Sequence, residues 1–263
     1  MRKGLCIVAF LVLAAQLPLW GYDMSPSSQQ VIPEIIWAAA TGGGTWVTEV
    51  QIANCSPTDI NISVEFYYSG GYRALMLYGG LAGYRSVRFS NVLSQMQTID
   101  SSFAYYGRVG ALWIEASSGG LIQAQARTVN GNYGKTFPGL NIIAGMTAAP
   151  GRLLIIQDIV RSDTYRTSVG FFNPTAGGIN VGCWIADETG SGIGSFTKTI
   201  PAHDFQAFNP FTQAGITSGT YENCVLYIEV SAGGGATDGL MSYGSIANNF
   251  TNDTYALIAR MFQ

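Results

Sequence analysis

Residues 46–54 read Trp-Val-Thr-Glu-Val-Gln-Ile-Ala-Asn, and residues 165–173 read Tyr-Arg-Thr-Ser-Val-Gly-Phe-Phe-Asn, an offset of 119 (165 − 46). The register holds from Ile60-Asn61-Ile62 to Ile179-Asn180-Val181 and returns at Phe89 and Phe208. A later stretch, from Leu112 to Gly120, is matched by Leu226 to Gly234 at an offset of 114 (226 − 112). Leu121 and Leu240 bring the offset back to 119 (240 − 121). A repeat this long implies two copies of one folding unit, which constrains architecture more firmly than local propensity does. It names no reaction.

The 263 residues leave room for about two domains of roughly 100–150 residues. Charged residues make up 11% of the chain, against about 25% in an ordinary soluble domain. Gly, Tyr, Ser, Thr and Asn stand in their place, so the expected surface is neutral, hydroxyl-rich and flecked with aromatics. Weak charge lowers the repulsion between copies and favours self-association. A net charge of −3 offers no basic stripe to neutralise phosphates, which argues against nucleic acid as a partner.

The first residues read as an export signal: Arg2 and Lys3, then an apolar run from Leu5 to Leu17. The run is shorter than the roughly 20 residues that span a bilayer. Cleavage is expected after Gly21, with the Ala14-Ala15 region as the alternative. Removal of Arg2 and Lys3 leaves 11 basic against 16 acidic residues, a charge of −5. Cys55, Cys183 and Cys224 then remain, an odd number and too few for a disulfide framework. Alternation turns Cys183 and Cys224 toward one core, so they are candidates for a bridge if their strands face each other; two buried, inert thiols are the alternative.

Alternation with period two marks strands at Trp46 to Asn54 and at Ile60 to Phe66, with the turn Cys55-Ser-Pro-Thr-Asp59 between them. Val92, Leu93 and Met96 recur at helical spacing, which predicts one or two helical turns from Ser90 to Gln97. Strands at 111–117 and 121–129 are expected to finish the first unit. Ala144 to Arg152 breaks the pattern as a linker, and the strand programme then runs again to Met261. The reading is all-β: residues 1–21 a signal peptide, 22–147 and 148–263 two tandem antiparallel β-sandwich domains.

The repeated unit resembles the tandem immunoglobulin-like β-sandwich modules of secreted bacterial proteins. The residues that carry the likeness are an aromatic and Thr opening a strand that ends in Asn, at Trp46 to Asn54 and Tyr165 to Asn173, and the later runs Leu112-Trp-Ile-Glu115 and Leu226-Tyr-Ile-Glu229 before a Gly turn. More loosely, the first copy is similar to the β-sandwich of the sensory rhodopsin transducer family at Glu49 to Asn54, Phe66-Tyr67-Tyr68 and Val87-Arg-Phe89. The first resemblance implies an exported, non-catalytic module for display, adhesion or assembly, and it carries no catalytic residue across.

Residue by residue, enzyme chemistry finds little support. His203 is the only histidine; it aligns with Tyr84, an ordinary strand position, and no Gly-x-Ser-x-Gly elbow accompanies it. Glu115 and Glu229 are equivalent copies in separate units, too far apart to flank one glycosidic bond. Gly190-Ser-Gly-Ile-Gly194 lies between strands, without the helix N-terminus a phosphate loop needs. Asn248, Asn249, Asn252 and Asp253 match no EF-hand spacing and read as a turn. No cofactor, metal or catalytic residue is expected.

Aromatics are the better lead. Trp113 and Tyr227 fall on the polar side of matched strands, as do Trp184 and Tyr67 on another pair. Such rings anchor subunit contacts, stack on sugars, or cover the junction between the two units. The expected role is therefore a non-catalytic exported structural or assembly protein of the cell envelope, surface or an extracellular appendage. It would associate with itself, as an oligomer or polymer, or with other envelope proteins, through neutral Tyr-rich sheet surfaces. The alternative is an extracellular adhesion or glycan-binding module that takes surface glycans on those aromatics.

Overall fold

A computed structural model describes residues 24–40, 43–141, 151–232 and 239–262. The expected signal peptide, most of the linker and most of the Gly-rich loop before Leu240 lie outside the described residues. The first repeat comprises β1 (Gln29–Ala39), β2 (Thr45–Asn54), β3 (Ile60–Tyr68), β4 (Gly71–Leu81), β5 (Ser86–Phe89), α1 (Val92–Ile99), β6 (Arg108–Ala116), β7 (Ile122–Asn130), β8 (Tyr133–Pro138) and β9 (Leu140–Asn141). The second comprises β10 (Leu153–Arg161), β11 (Tyr165–Asn173), β12 (Ile179–Ala186), β13 (Gly192–Ile200), β14 (Asp204–Phe208), α2 (Pro210–Gln213), β15 (Tyr221–Ala232), β16 (Met241–Asn248), β17 (Thr254–Ile258) and β18 (Arg260–Phe262).

Each repeat forms its own antiparallel sheet, and the two strand orders are the same. The first runs β4-β3-β6-β1-β2-β7-β8, with β5 on β2 and β9 on β1; the second runs β13-β12-β15-β10-β11-β16-β17, with β14 on β11 and β18 on β10. The opening strand of each repeat is the fold's hinge. β1 pairs with β6 along one edge, while its other edge takes β9 at one end and β2 at the other. The sheet therefore folds over its own apolar side instead of lying open. Val50, Ile52, Val64, Phe66, Leu112 and Ile114 fill the first interior, and Val169, Phe171, Val181, Cys183, Leu226 and Ile228 the second.

Both opening strands carry a bulge at the same place. Against β6 the register shifts between Ile32 and Ile35, and against β15 between Ile156 and Ile159, so two residues face one and the strand bends. Pro33 sits in the first bulge, where its missing N–H breaks no ladder bond. Beyond the bulge a buried threonine replaces the missing strand pairing. Thr48 Oγ1 accepts from the Ile36 N–H at 2.8 Å and donates to the Ile36 carbonyl at 3.2 Å. Thr167 does both for Val160 at 2.8 Å.

A second polar clamp closes each hairpin. Asn54, 2% exposed, donates through Nδ2 to the carbonyls of Thr58, Leu81 and Ala82 at 2.8–3.2 Å, and its Oδ1 accepts from the Ser56 N–H. Asn173, fully buried, makes the same set with Gly177, Ile200 and Pro201 and accepts from Thr175. The asparagine closing the repeated motif thus satisfies buried backbone carbonyls, which carry a desolvation cost when unpaired. The two helices are capped alike: Asn91 and Asn209 accept from the backbone N–H three residues on.

Several expectations change. The first repeat does not finish at 129: β8 and β9 follow, and β9 supplies the second partner of β1. The helix lies two residues further on than expected, at Val92–Ile99. The β16 strand keeps an offset of 118, not 119, because Phe172 faces Met241 where Ala53 faces Gln123 (241 − 123). His203 is no strand residue. It adopts φ 52° in a turn, as does its counterpart Tyr84 at φ 57°, and their N–H groups donate to Thr175 and Ser56.

Asn173→Ala strands three carbonyls and should lower stability by about 3 kcal/mol, read as a drop in the urea midpoint. Asn54→Ala should cost a similar amount; loss near zero at both would mean that the clamp is dispensable.

Candidate interaction surface

Side chains on the outer face of the second repeat show how the copies differ. Phe172, Phe205, Met241 and Tyr243 point out of their sheet and are at most 2% exposed, since they join the apolar cluster of the first repeat. Their ladder counterparts in the first repeat are Ala53, Ser86, Gln123 and Gln125. The second repeat therefore offers an apolar outer face where the first offers small and polar groups.

That face seats on the first repeat. Tyr67, on β3, meets Phe172 edge-on at 4.7 Å between ring centroids, and Phe137, on β8, meets Tyr243 at 5.3 Å. His203 leans over Tyr72 at 5.2 Å. Polar contacts fix the register of the junction. The Gly70 N–H donates to Asp204 Oδ1 at 2.8 Å, and Lys135 Nζ reaches Ser245 Oγ at 2.5 Å. Lys135 also pairs with Glu34, in the β1 bulge, at 2.5 Å, and both side chains are under 10% exposed. Burial, with the Glu34 carboxylate beside it, holds the Tyr243 phenol well above its usual range.

The four aromatics singled out in the sequence do not act together. Tyr67 is buried in the junction, and its hydroxyl donates to the Glu65 carboxylate. Burial first and then Glu65 push its ionisation far up, so it is no exposed anchor for a sugar or a second protein. Trp113 is half-buried against the first core. Trp184 and Tyr227 do meet: opposite each other on β12 and β15, their rings stack at 5.2 Å and 8°. Both are half-buried, and the next residue in the same row, Ile155 on β10, is half-buried too.

Ile155 and the residues beside it form one wall of a groove of about 370 Å³, with Asp158, Leu257 and Arg260; Met24, Pro138 and Leu140 form the other. Asp158 occupies the second bulge at φ 61° and is exposed. Tyr255, 49% exposed, has its phenol raised by partial burial and then by Asp158 and Tyr165.

Cys183 and Cys224 are free thiols. They lie on adjacent strands of one ladder, where Cys183 faces Ile228, four residues along β15 from Cys224. At about 3.3 Å per residue that separates them by ~13 Å, beyond the roughly 7 Å limit for a bridge. The candidate bridge is not formed and the alternative of two buried thiols holds, because the two strands neighbour each other instead of facing across the core.

Other candidate sites resolve as turns. Asp187 Oδ1 accepts from the N–H groups of Thr189 and Ser191 in the glycine-rich hairpin. Asn248 Oδ1 accepts from Phe250 and Thr251. No cluster of three metal-ligating side chains exists among the described residues, and no described helix is long and apolar enough to cross a membrane. Glu115 and Glu229 are both exposed, each on its own sheet. The Glu34–Lys135 pair escaped sequence reasoning, since nothing local signals two charges meeting across 101 residues (135 − 34).

No family model and no curated protein matches the chain. Among solved structures, the Thermotoga maritima 1070 protein is similar at 12% identity over 44% of this chain and 95% of its own, with a TM-score of 0.31. The apo Pleurotus ostreatus lectin matches 94% of this chain and 81% of its own at 10% identity, with a TM-score of 0.25. The infectious bursal disease virus VP2 subviral particle gives 11% identity and a TM-score of 0.19, over 92% of this chain and 73% of its own. At these scores the likenesses carry no functional argument.

Lys135→Met leaves Glu34 buried without its cation and should cost about 3–5 kcal/mol, whereas replacing both with apolar residues should cost far less; paired thermal melts decide. Burial pushes the Cys183 thiol up to about 12, and burial with Asp187 and Glu188 nearby pushes Cys224 to about 11. Raised values keep both protonated, so native alkylation at pH 8 should label Cys55 and spare these two, as peptide mass mapping would show.

Proposed function

We propose that the chain is an exported, non-catalytic structural or assembly protein: two immunoglobulin-like β-sandwiches in tandem that associate with further copies through neutral, Tyr-rich sheet surfaces. One observation carries the reading. The outer face of the first repeat at β3, β6 and β1 is covered by the second repeat, while the same face of the second repeat, with Trp184, Tyr227 and Ile155 in a row, stays open. A row of half-buried apolar side chains on a weakly charged sheet is the kind of patch that subunit contacts cover. The weakness of charge repulsion works in the same direction.

A sugar-binding role would use the same pair of rings. Trp184 and Tyr227 stack on each other along a sheet face and do not line the 370 Å³ groove, which fits a flat protein contact better than a ring-sized cleft.

Light scattering across a dilution series should give a mass that rises with concentration, and Trp184→Ala with Tyr227→Ala should lower it. A chain that stays monomeric at the highest soluble concentration would sink the proposal. Glycan binding that disappears in Trp184→Ala, without any association, would replace it with the sugar reading.

A further inference from the structure

We infer that the assembly is head to tail: the outer face of β2, β5 and β7 in one copy seats on the outer face of β10, β12 and β15, with the β17 edge beside it, in the next. The contact would repeat between chains the junction that joins the two repeats within one chain. This rests on the self-association proposed above and specifies which faces meet.

Ladder register gives each residue of the internal junction a counterpart. On the receiving side, Glu34, Lys135 and Phe137 of the first repeat correspond to Asp158, Tyr255 and Leu257 of the second. The first set is buried; in the second, Asp158 and Tyr255 are exposed and Leu257 lines the groove. On the seating side, Tyr243, Ser245 and Asp204 of the second repeat correspond to Gln125, Arg127 and Arg85 of the first. All three of these first-repeat residues are exposed. The seating set is thus exposed, and the receiving set opens to solvent at Asp158 and Tyr255, while Leu257 lies in a groove bordered by Met24, Pro138 and Leu140 of the same chain.

Their charges fit each other. Inside the chain, Lys135 supplies the cation that faces Glu34, and Ser245 touches it as a neutral partner. On the open face Tyr255 replaces Lys135, Arg260 lines the groove with Asp158 without pairing with it, and the seating face carries Arg127 where Ser245 stood. Docking would restore one cation to the carboxylate. The second polar contact inverts in the same way. Internally the Asp204 carboxylate takes an N–H from the Ser69-Gly70 turn. Its counterpart Arg85 would meet the corresponding turn of the next copy, whose tip carries the exposed Glu188 and whose base is Asp187. An anion on a neutral turn becomes a cation on an acidic one. The contact joins unlike faces, so it leaves a free face at each end and builds rings or filaments beyond the dimer.

The test uses the protein expressed from its full gene and exported. Arg85→Glu and Arg127→Glu should each weaken association about tenfold or more, since like charges then face each other. Arg85→Glu combined with Glu188→Arg should recover it. These residues are exposed, and unchanged melting temperatures would show that the variants remain folded. The wild-type mass should exceed a dimer and fall with added salt. A wild-type chain that assembles yet ignores both arginine substitutions overturns the head-to-tail contact and leaves self-association standing. A strictly monomeric wild type overturns both.

Discussion

A strand turns successive side chains to opposite sides of its sheet, and that alternation divides the two repeats into what had to stay alike and what was free to differ. The inward positions are near copies: Val50 and Val169, Ile52 and Phe171, Leu112 and Leu226, Ile114 and Ile228 are all buried. The outward positions one residue away are not, for Ala53 stands where the second repeat has Phe172, and Gln125 where it has Tyr243. The same ladder thus gives two interiors of one kind and two exteriors of different kinds. Everything about how the repeats meet each other follows from the exteriors.

Within each interior a few polar residues are as constant as the apolar ones. Thr48 and Thr167 bridge the gap where the opening strand leaves its neighbour, and Asn54 and Asn173 gather the carbonyls that the hairpin leaves unpaired. A buried backbone group must find a partner, and at these points no strand provides one. The residues are constant because the backbone departs from ideal pairing at the same places twice. The bulges at Ile32 to Ile35 and Ile156 to Ile159 have the same origin: each re-aims the opening strand so that its two edges pair with three strands.

This division also explains what could be read in advance. Strand content, the duplication and the hairpin turns at Asp187 and Asn248 were legible, because alternation and turn chemistry are local. Residues 133–138, Tyr-Gly-Lys-Thr-Phe-Pro, hide β8: a glycine, a lysine and a proline mask a strand whose Phe137 is buried, and whose Lys135 side chain is enclosed, only through long-range contacts. Alternation places Tyr67 on the outward side of its strand, yet it says which way a ring points and not what lies over it. The one-residue slip at β16 had the largest consequence for the surface. A shift of one exchanges the two faces of a strand, and only at an offset of 118 do Met241 and Tyr243 align with Gln123 and Gln125, which exposes the contrast between the two exteriors. His203 was misplaced because a left-handed turn residue leaves no mark in a hydrophobic pattern; its counterpart Tyr84 carries the same φ with unrelated chemistry.

The difference between the two exteriors has a physical logic of its own. The junction between the repeats is held by a covalent tether, so it forms at high effective concentration and need not open again. It can bury Phe172, Phe205, Met241 and Tyr243 against Tyr67 and Phe137 without leaving those rings in water. A contact between separate copies is constrained differently, because each copy must stay soluble until it meets the next. Gln125, Arg127 and Arg85 meet that demand on the seating face, and the receiving face limits its apolar exposure to half-buried rings that stack on one another. Permanent interfaces resemble a core, and exchangeable ones resemble the rest of the surface. A chain with few charges has little repulsion to hold its copies apart, and in the proposed head-to-tail contact arginines opposite carboxylates would give direction as well as attraction.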